Sequence, residues 1–79
     1  MNRNDYNKKR RYLSYKLIEA REKAGLSQKQ VSERKIISQT ELSKLENGAR
    51  RVDFLVLIEL AKVYNQSITF FIPDYDNKK

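Results

Sequence analysis

Residues 25–48, bounded by the two glycines of the chain, read GLSQKQVSERKIISQTELSKLENG. Ser27 stands three residues before Gln30, the spacing of a capping box. In that device the serine hydroxyl accepts from the Gln30 backbone N–H while the glutamine side chain returns to the N–H of Ser27. Eleven residues on, the pattern repeats with Ser38 and Glu41. Each start is followed by apolar anchors at helical spacing, Val31 in the first helix and Leu42 and Leu45 in the second. Asn47-Gly48 ends the second helix near residue 46. Two short helices joined by a tight turn, the second opening on polar residues, have the geometry of a helix-turn-helix.

The flanks supply the support such a pair needs. Upstream, Leu13, Leu17, Ala20 and Ala24 recur at spacings of three and four, which predicts a helix over about 8–24 with one apolar face. Gly25 then takes the left-handed position after it, and Leu26 folds back on its end. Downstream, Asp53 caps a helix over about 54–64 with an inward stripe of Leu57, Leu60, Ala61 and Tyr64. Asn65 closes that helix, and Ser67 caps a single turn carrying Ile68 and Phe71, stopped before Pro73. The expectation is an all-α fold of five helices forming a single domain over residues 1–79. Its core spans about 11–72, preceded by a basic N-terminal arm, 1–10, and followed by a frayed tail, 74–79.

Composition narrows the chemistry. Seventeen Lys and Arg against ten Asp and Glu give a net charge of +7, which favours an anionic partner. Cysteine and histidine are both absent, which removes disulfides, thiolate zinc sites and the usual general base. Carboxylates such as Glu33 and Glu59 are dispersed along helices without the clustering a metal ion needs. No enzyme, metal or cofactor is therefore expected. The longest apolar run, Phe54 to Ile58, is too short for a signal peptide core or a membrane span, so the expected location is cytoplasmic, away from membranes.

Gln39, Thr40, Ser43 and Lys44 occupy the outward positions of the second short helix, opposite Leu42 and Leu45. The N-terminal end of such a helix enters the major groove, where a glutamine can donate to and accept from adenine and a lysine can reach guanine acceptors or a phosphate. Thr40 adds a hydroxyl and a methyl suited to thymine.

With these residues in place the sequence resembles the XRE family, the phage repressor and Cro type of DNA-binding domain. The likeness runs from about Leu17 to Phe71. It rests on Arg21, Gly25-Leu26-Ser27-Gln28, Val31, Leu42-Ser43-Lys44-Leu45-Glu46-Asn47-Gly48, Leu57, Leu60-Ala61 and Tyr64, with no insertion between blocks. The resemblance implies a lambda-repressor-like fold in which Gln39, Thr40 and Lys44 read bases. It also implies that Gln28 touches a phosphate and braces Gln39, and that Ser38, Ser43, Asn47 and Arg50 meet the DNA backbone. Arg51 joins Arg50 in backbone or minor-groove contact, and Arg21 pairs with Glu46 to tie the first helix to the third. The chain departs from the family where Ile36 replaces a frequent glycine and Lys35 a frequent apolar residue; Val52 stands where proline is frequent. A β-branched residue is poorly suited to positive φ, so either the turn has another shape or Ile36 packs to advantage.

Several features have plainer readings. Ser38 and Glu41 are first a helix cap. Lys8-Lys9-Arg10-Arg11, with Tyr12 and Tyr15, is either a solvated first turn or a phosphate-contacting arm. Val52, Leu55, Val56, Phe70 and Ile72, with Phe54, exceed what five small helices bury and point to a two-fold homodimer. Paired copies would set two recognition helices ~34–36 Å apart on a palindromic operator. The expected function is a sequence-specific transcriptional regulator on double-stranded DNA, a repressor that occludes its operator. The alternative is an antitoxin, or another module with a protein partner such as a toxin, that also binds its own promoter. Small regulators of restriction-modification operons belong to the same group.

Overall fold

The computed structural model describes residues 1–73; the tail expected to fray, 74–79, lies outside the described residues. Among the described residues there are four α-helices and one 3₁₀ turn: α1 (Arg3–Lys23), α2 (Gln28–Ser32), α3 (Gln39–Glu46), α4 (Phe54–Val63) and the turn Ile68–Phe71. The fifth helix expected from sequence is thus a single tight turn, with the Ser67 hydroxyl accepting from the Thr69 N–H at its start.

Every α-helix opens on a side-chain cap. Ser27 and Gln30 form the complete reciprocal box. Asp53 accepts from the N–H groups of both Leu55 and Val56. Ser38 accepts from Glu41, but the glutamate does not return the bond; its carboxylate turns instead to Arg50, 3.3 Å away. At the C-termini of α1, α3 and α4 the chain reverses through Gly25, Gly48 and Asn65, each at positive φ. The N–H after each reversal bonds back into the last turn, Leu26 to Arg21 O, Ala49 to Lys44 O and Gln66 to Ala61 O, which satisfies carbonyls the helix leaves open.

Helix α1 begins five residues earlier than the periodicity predicted, so most of the expected arm, 1–10, is helical. The Asn2 side chain accepts from the Asp5 N–H at 2.8 Å, and Asp5 places a carboxylate in the first turn where the helix dipole favours it. At the other end Ala24, expected on the apolar face, is the exposed C-cap.

The core gathers Leu17 and Ala20 from α1, Val31 from α2, Leu42 and Leu45 from α3, Leu57, Leu60 and Ala61 from α4, with Tyr64 and Phe71. Helix α2 packs on α3, α1 packs on both α3 and the 3₁₀ turn, and α4 packs on that turn. The arrangement leaves one face of α3 without a neighbouring helix.

Candidate nucleic-acid interface

The turn between α2 and α3 sets the aim of α3, and of the two alternatives the sequence left open it takes the first, another shape. Lys35, not Ile36, is the left-handed residue, at φ 66°. A side chain branched at Cβ tolerates that region worst. The reversal therefore falls on the unbranched lysine; Ile36 is half-buried, and Ile37 packs against the core. The left-handed conformation costs about 1–2 kcal/mol at a non-glycine residue, a cost that burial of Ile37 against the core helps to offset.

Helix α3 buries Leu42, Leu45 and Glu46 and presents Gln39, Thr40 and Lys44 to solvent, with Ser43 half-buried beside them. Its C-terminal end is gripped by three side chains of α1. The Ser14 hydroxyl donates to Leu45 O at 3.0 Å, and Arg10 Nη2 donates to Gly48 O at 3.2 Å. Arg21 meets Glu46 in a two-pronged pair, Nε to Oε2 at 2.7 Å and Nη2 to Oε1 at 3.0 Å, and uses Nη1 to reach Leu26 O. Two guanidinium groups at the carbonyl end of α3 also oppose the negative end of its dipole. The pair holds the Arg21 guanidinium further above its already high ordinary pKa, chiefly through the hydrogen bond to Glu46, against the desolvation of burial.

Gln28 was expected to brace Gln39. Instead its Nε2 donates to Glu46 Oε1 at 2.9 Å, so its amide completes the buried network and Gln39 stands clear of it. The difference follows from depth: Glu46 is buried and needs a third donor, whereas Gln39 can use water.

The remaining residues of the expected backbone-contacting set lie around the same face. Ser38 is exposed at the N-cap of α3. Asn47 is exposed at its C-cap, where Oδ1 accepts from Ala49 N–H and leaves the amide NH₂ outward. Arg50 is exposed but paired with Glu41, and Arg51 is exposed with its guanidinium 5.6 Å from the centre of the Tyr6 ring. The Arg21–Glu46 tie was expected from sequence, but the bonds from Arg10 and Ser14 of α1 to the end of α3 were not. Tyr6, Arg10, Leu13, Ser14 and Leu17 continue one helical stripe, and that spacing was the available signal.

The apolar positions expected at a dimer interface do not behave alike. Val52, Val56 and Phe70 pack partly against the protein's own core, and Phe70 is covered by Lys16 at 4.5 Å and edged by Phe71 at 5.2 Å. Leu55 and Ile72 are exposed, as is Phe54. A cavity of about 330 Å³ opens between α1, the end of α3 and the 3₁₀ turn, with Leu13, Leu17 and Phe71 in its wall and Lys9 and Arg50 among its cations.

No helix among the described residues is long and apolar enough to cross a membrane. No group of three or more His, Cys, Asp or Glu among them is placed to hold a metal ion.

A short helix braced by its neighbour, with a second helix exposing a polar face, defines a helix-turn-helix scaffold. A family model described as helix-turn-helix matches residues 17–71, and the chain belongs to that family, the XRE-type DNA-binding regulatory domains. No curated protein and no solved structure matches the chain at a significant level.

Proposed function

We propose that the chain is a sequence-specific transcriptional regulator that represses by occupying its operator as a homodimer. Gln39, Thr40 and Lys44 read base edges from the major groove, while Gln28, Ser38, Ser43, Asn47, Arg50 and Arg51 lie against the sugar-phosphate backbone. The observation that carries this reading is the division of α3. Leu42, Leu45 and Glu46 are held in the interior, and Gln39, Thr40 and Lys44 project from the opposite side with no protein partner among the described residues. A polar face fixed from behind can meet a duplex without losing internal contacts, which limits the ordering cost of binding. One N–H of the Gln28 amide is already given to Glu46, leaving the other for a phosphate, so its contribution is expected to be smaller than that of Asn47.

The test is in vitro selection of bound duplexes, followed by gel shift of the selected site with Gln39→Ala and Lys44→Ala. Each lost base contact is expected to reduce discrimination by ~1–3 kcal/mol at one position of the site. Variants that keep the wild-type preference would remove α3 as the reader. A palindromic selected site would support the homodimer. The exposed Phe54 and Leu55 favour a second reading, an antitoxin-like chain whose other partner is a protein, and co-purification of a distinct subunit would favour it over the homodimer.

A further inference from the structure

The first two turns of α1 lie outside the residues the family model matches, yet they build a site. Tyr6 carries Arg10 at 5.9 Å and Arg51 at 5.6 Å from its ring centre, so a single aromatic ring organises two guanidinium groups from separate elements. Together with Arg3 and Asn7 they surround a concave space of about 490 Å³. Among the described residues none of Arg3, Arg10 and Arg51 forms an ion pair; the pairs present use Lys16, Arg21, Lys23, Arg50 and Lys62. Three like charges gathered around one hollow repel each other, and an anion placed there would relieve that repulsion. Guanidinium forks and an amide NH₂ suit the oxygens of a phosphodiester better than a lone carboxylate, since they offer several donors in fixed planes.

The position of the hollow identifies which phosphodiester. Arg10 is bonded to Gly48 O, directly past the C-terminal end of α3, and Arg51 follows three residues later. Eight residues of helix span about 12 Å, close to the ~12 Å width of the major groove. With the Gln39 end of α3 in the groove, the opposite end stands beside a strand that walls it. The geometry points to a phosphate cradle formed by Arg3, Asn7, Arg10 and Arg51 that holds the DNA backbone flanking the bases read by α3. This rests on the proposed placement of α3 and adds to it an anchor that carries no sequence information.

Arg3→Gln and Arg51→Gln, singly and together, test the cradle; both residues are exposed, and circular dichroism confirms that the variants fold. Binding to the selected duplex and to an unrelated duplex is titrated across a salt series by fluorescence anisotropy. The double variant is expected to bind both duplexes about tenfold more weakly at low salt, and its log K against log[salt] slope should be shallower by about 0.9 for one phosphate released. Arg51→Lys should keep the slope and recover part of the affinity, because charge is retained while the planar fork is lost. An unchanged slope in the double variant, or a loss confined to the selected duplex, would overturn the cradle. If instead Gln39→Ala keeps full sequence preference while the double variant shows the uniform loss, the cradle stands and the reading of α3 falls.

Discussion

Replacing Arg21 with methionine is expected to bring the domain close to unfolding. The Glu46 side chain is only 5% exposed and takes its hydrogen bonds from Arg21 Nε, Arg21 Nη2 and Gln28 Nε2. Methionine fills most of the volume but removes two of those three donors. A buried charge left without its partner costs about 3–5 kcal/mol, and a single core below 80 residues supplies only about 3–5 kcal/mol in all. The folded to unfolded ratio should therefore fall from roughly a thousand to one to near unity. The reverse change is milder. Glu46→Gln leaves a guanidinium that is 14% exposed and still bonded to Leu26 O, so a loss of about 1–2 kcal/mol is expected. Urea titration followed by far-UV circular dichroism measures both. Arg21→Met combined with Glu46→Gln removes both charges and should be more stable than the sum of the two single losses predicts by about 2 kcal/mol. An Arg21→Met protein within about 1 kcal/mol of wild type, or a strictly additive double variant, would refute the assignment of this pair as the tie between α1 and α3.

The Tyr64 hydroxyl is buried without a hydrogen-bond partner, and its pKa is pushed up to about 12, first by burial and then by Glu46, with Arg21 opposing. The folded state thus favours the neutral phenol. Its contribution is intact below the unfolded value near 10 and is lost as pH rises from there towards 12, at about 1.4 kcal/mol per pH unit. Wild type should lose on the order of 2 kcal/mol more than Tyr64→Phe across that window, while at neutral pH the phenylalanine variant should be at least as stable; parallel losses in urea midpoints would contradict this. Lys35→Gly should stabilise by about 1 kcal/mol by relieving the left-handed backbone, whereas Ile36→Gly should destabilise by about 1–2 kcal/mol, and a reversed order in thermal melts would move the turn by one residue. Ser27→Ala and Ser38→Ala should each cost about 1 kcal/mol. Glu41→Ala should cost no more than about 0.5 kcal/mol, since it returns no bond to its cap and its pair with Arg50 is exposed; a larger loss would indicate a complete capping box.

What was legible in the sequence was the chemistry that acts over a few residues. The Ser27 and Gln30 box, the Asp53 cap and the reversals at Gly25, Gly48 and Asn65 each need only neighbouring groups, and each is where the sequence places it. The apolar stripes through Leu17, Val31, Leu42 and Leu60 were readable for the same reason. The start of α1 was harder, because four consecutive cations are a poor first turn; the helix instead starts at Arg3, with the Asn2 cap and Asp5 in its first turn and the cations beyond it. Lys35 carries no local mark of a left-handed residue; its reversal precedes Ile37, whose place against the core is a tertiary matter. The partner of Gln28 depends on a carboxylate eighteen positions away, and local spacing says nothing about such a choice.

The grip of α1 on α3 separates two duties along eight residues. Arg10, Ser14 and Arg21 hold the carbonyls of Leu45 and Gly48 and the side chain of Glu46, and none of them touches Gln39, Thr40 or Lys44. The outward three can therefore be exchanged for other polar residues while the fastening behind them stays in place. Under the proposed reading of DNA, a lineage built on this scaffold changes its target by altering those tips alone, and a single substitution in α1 misdirects all of them together.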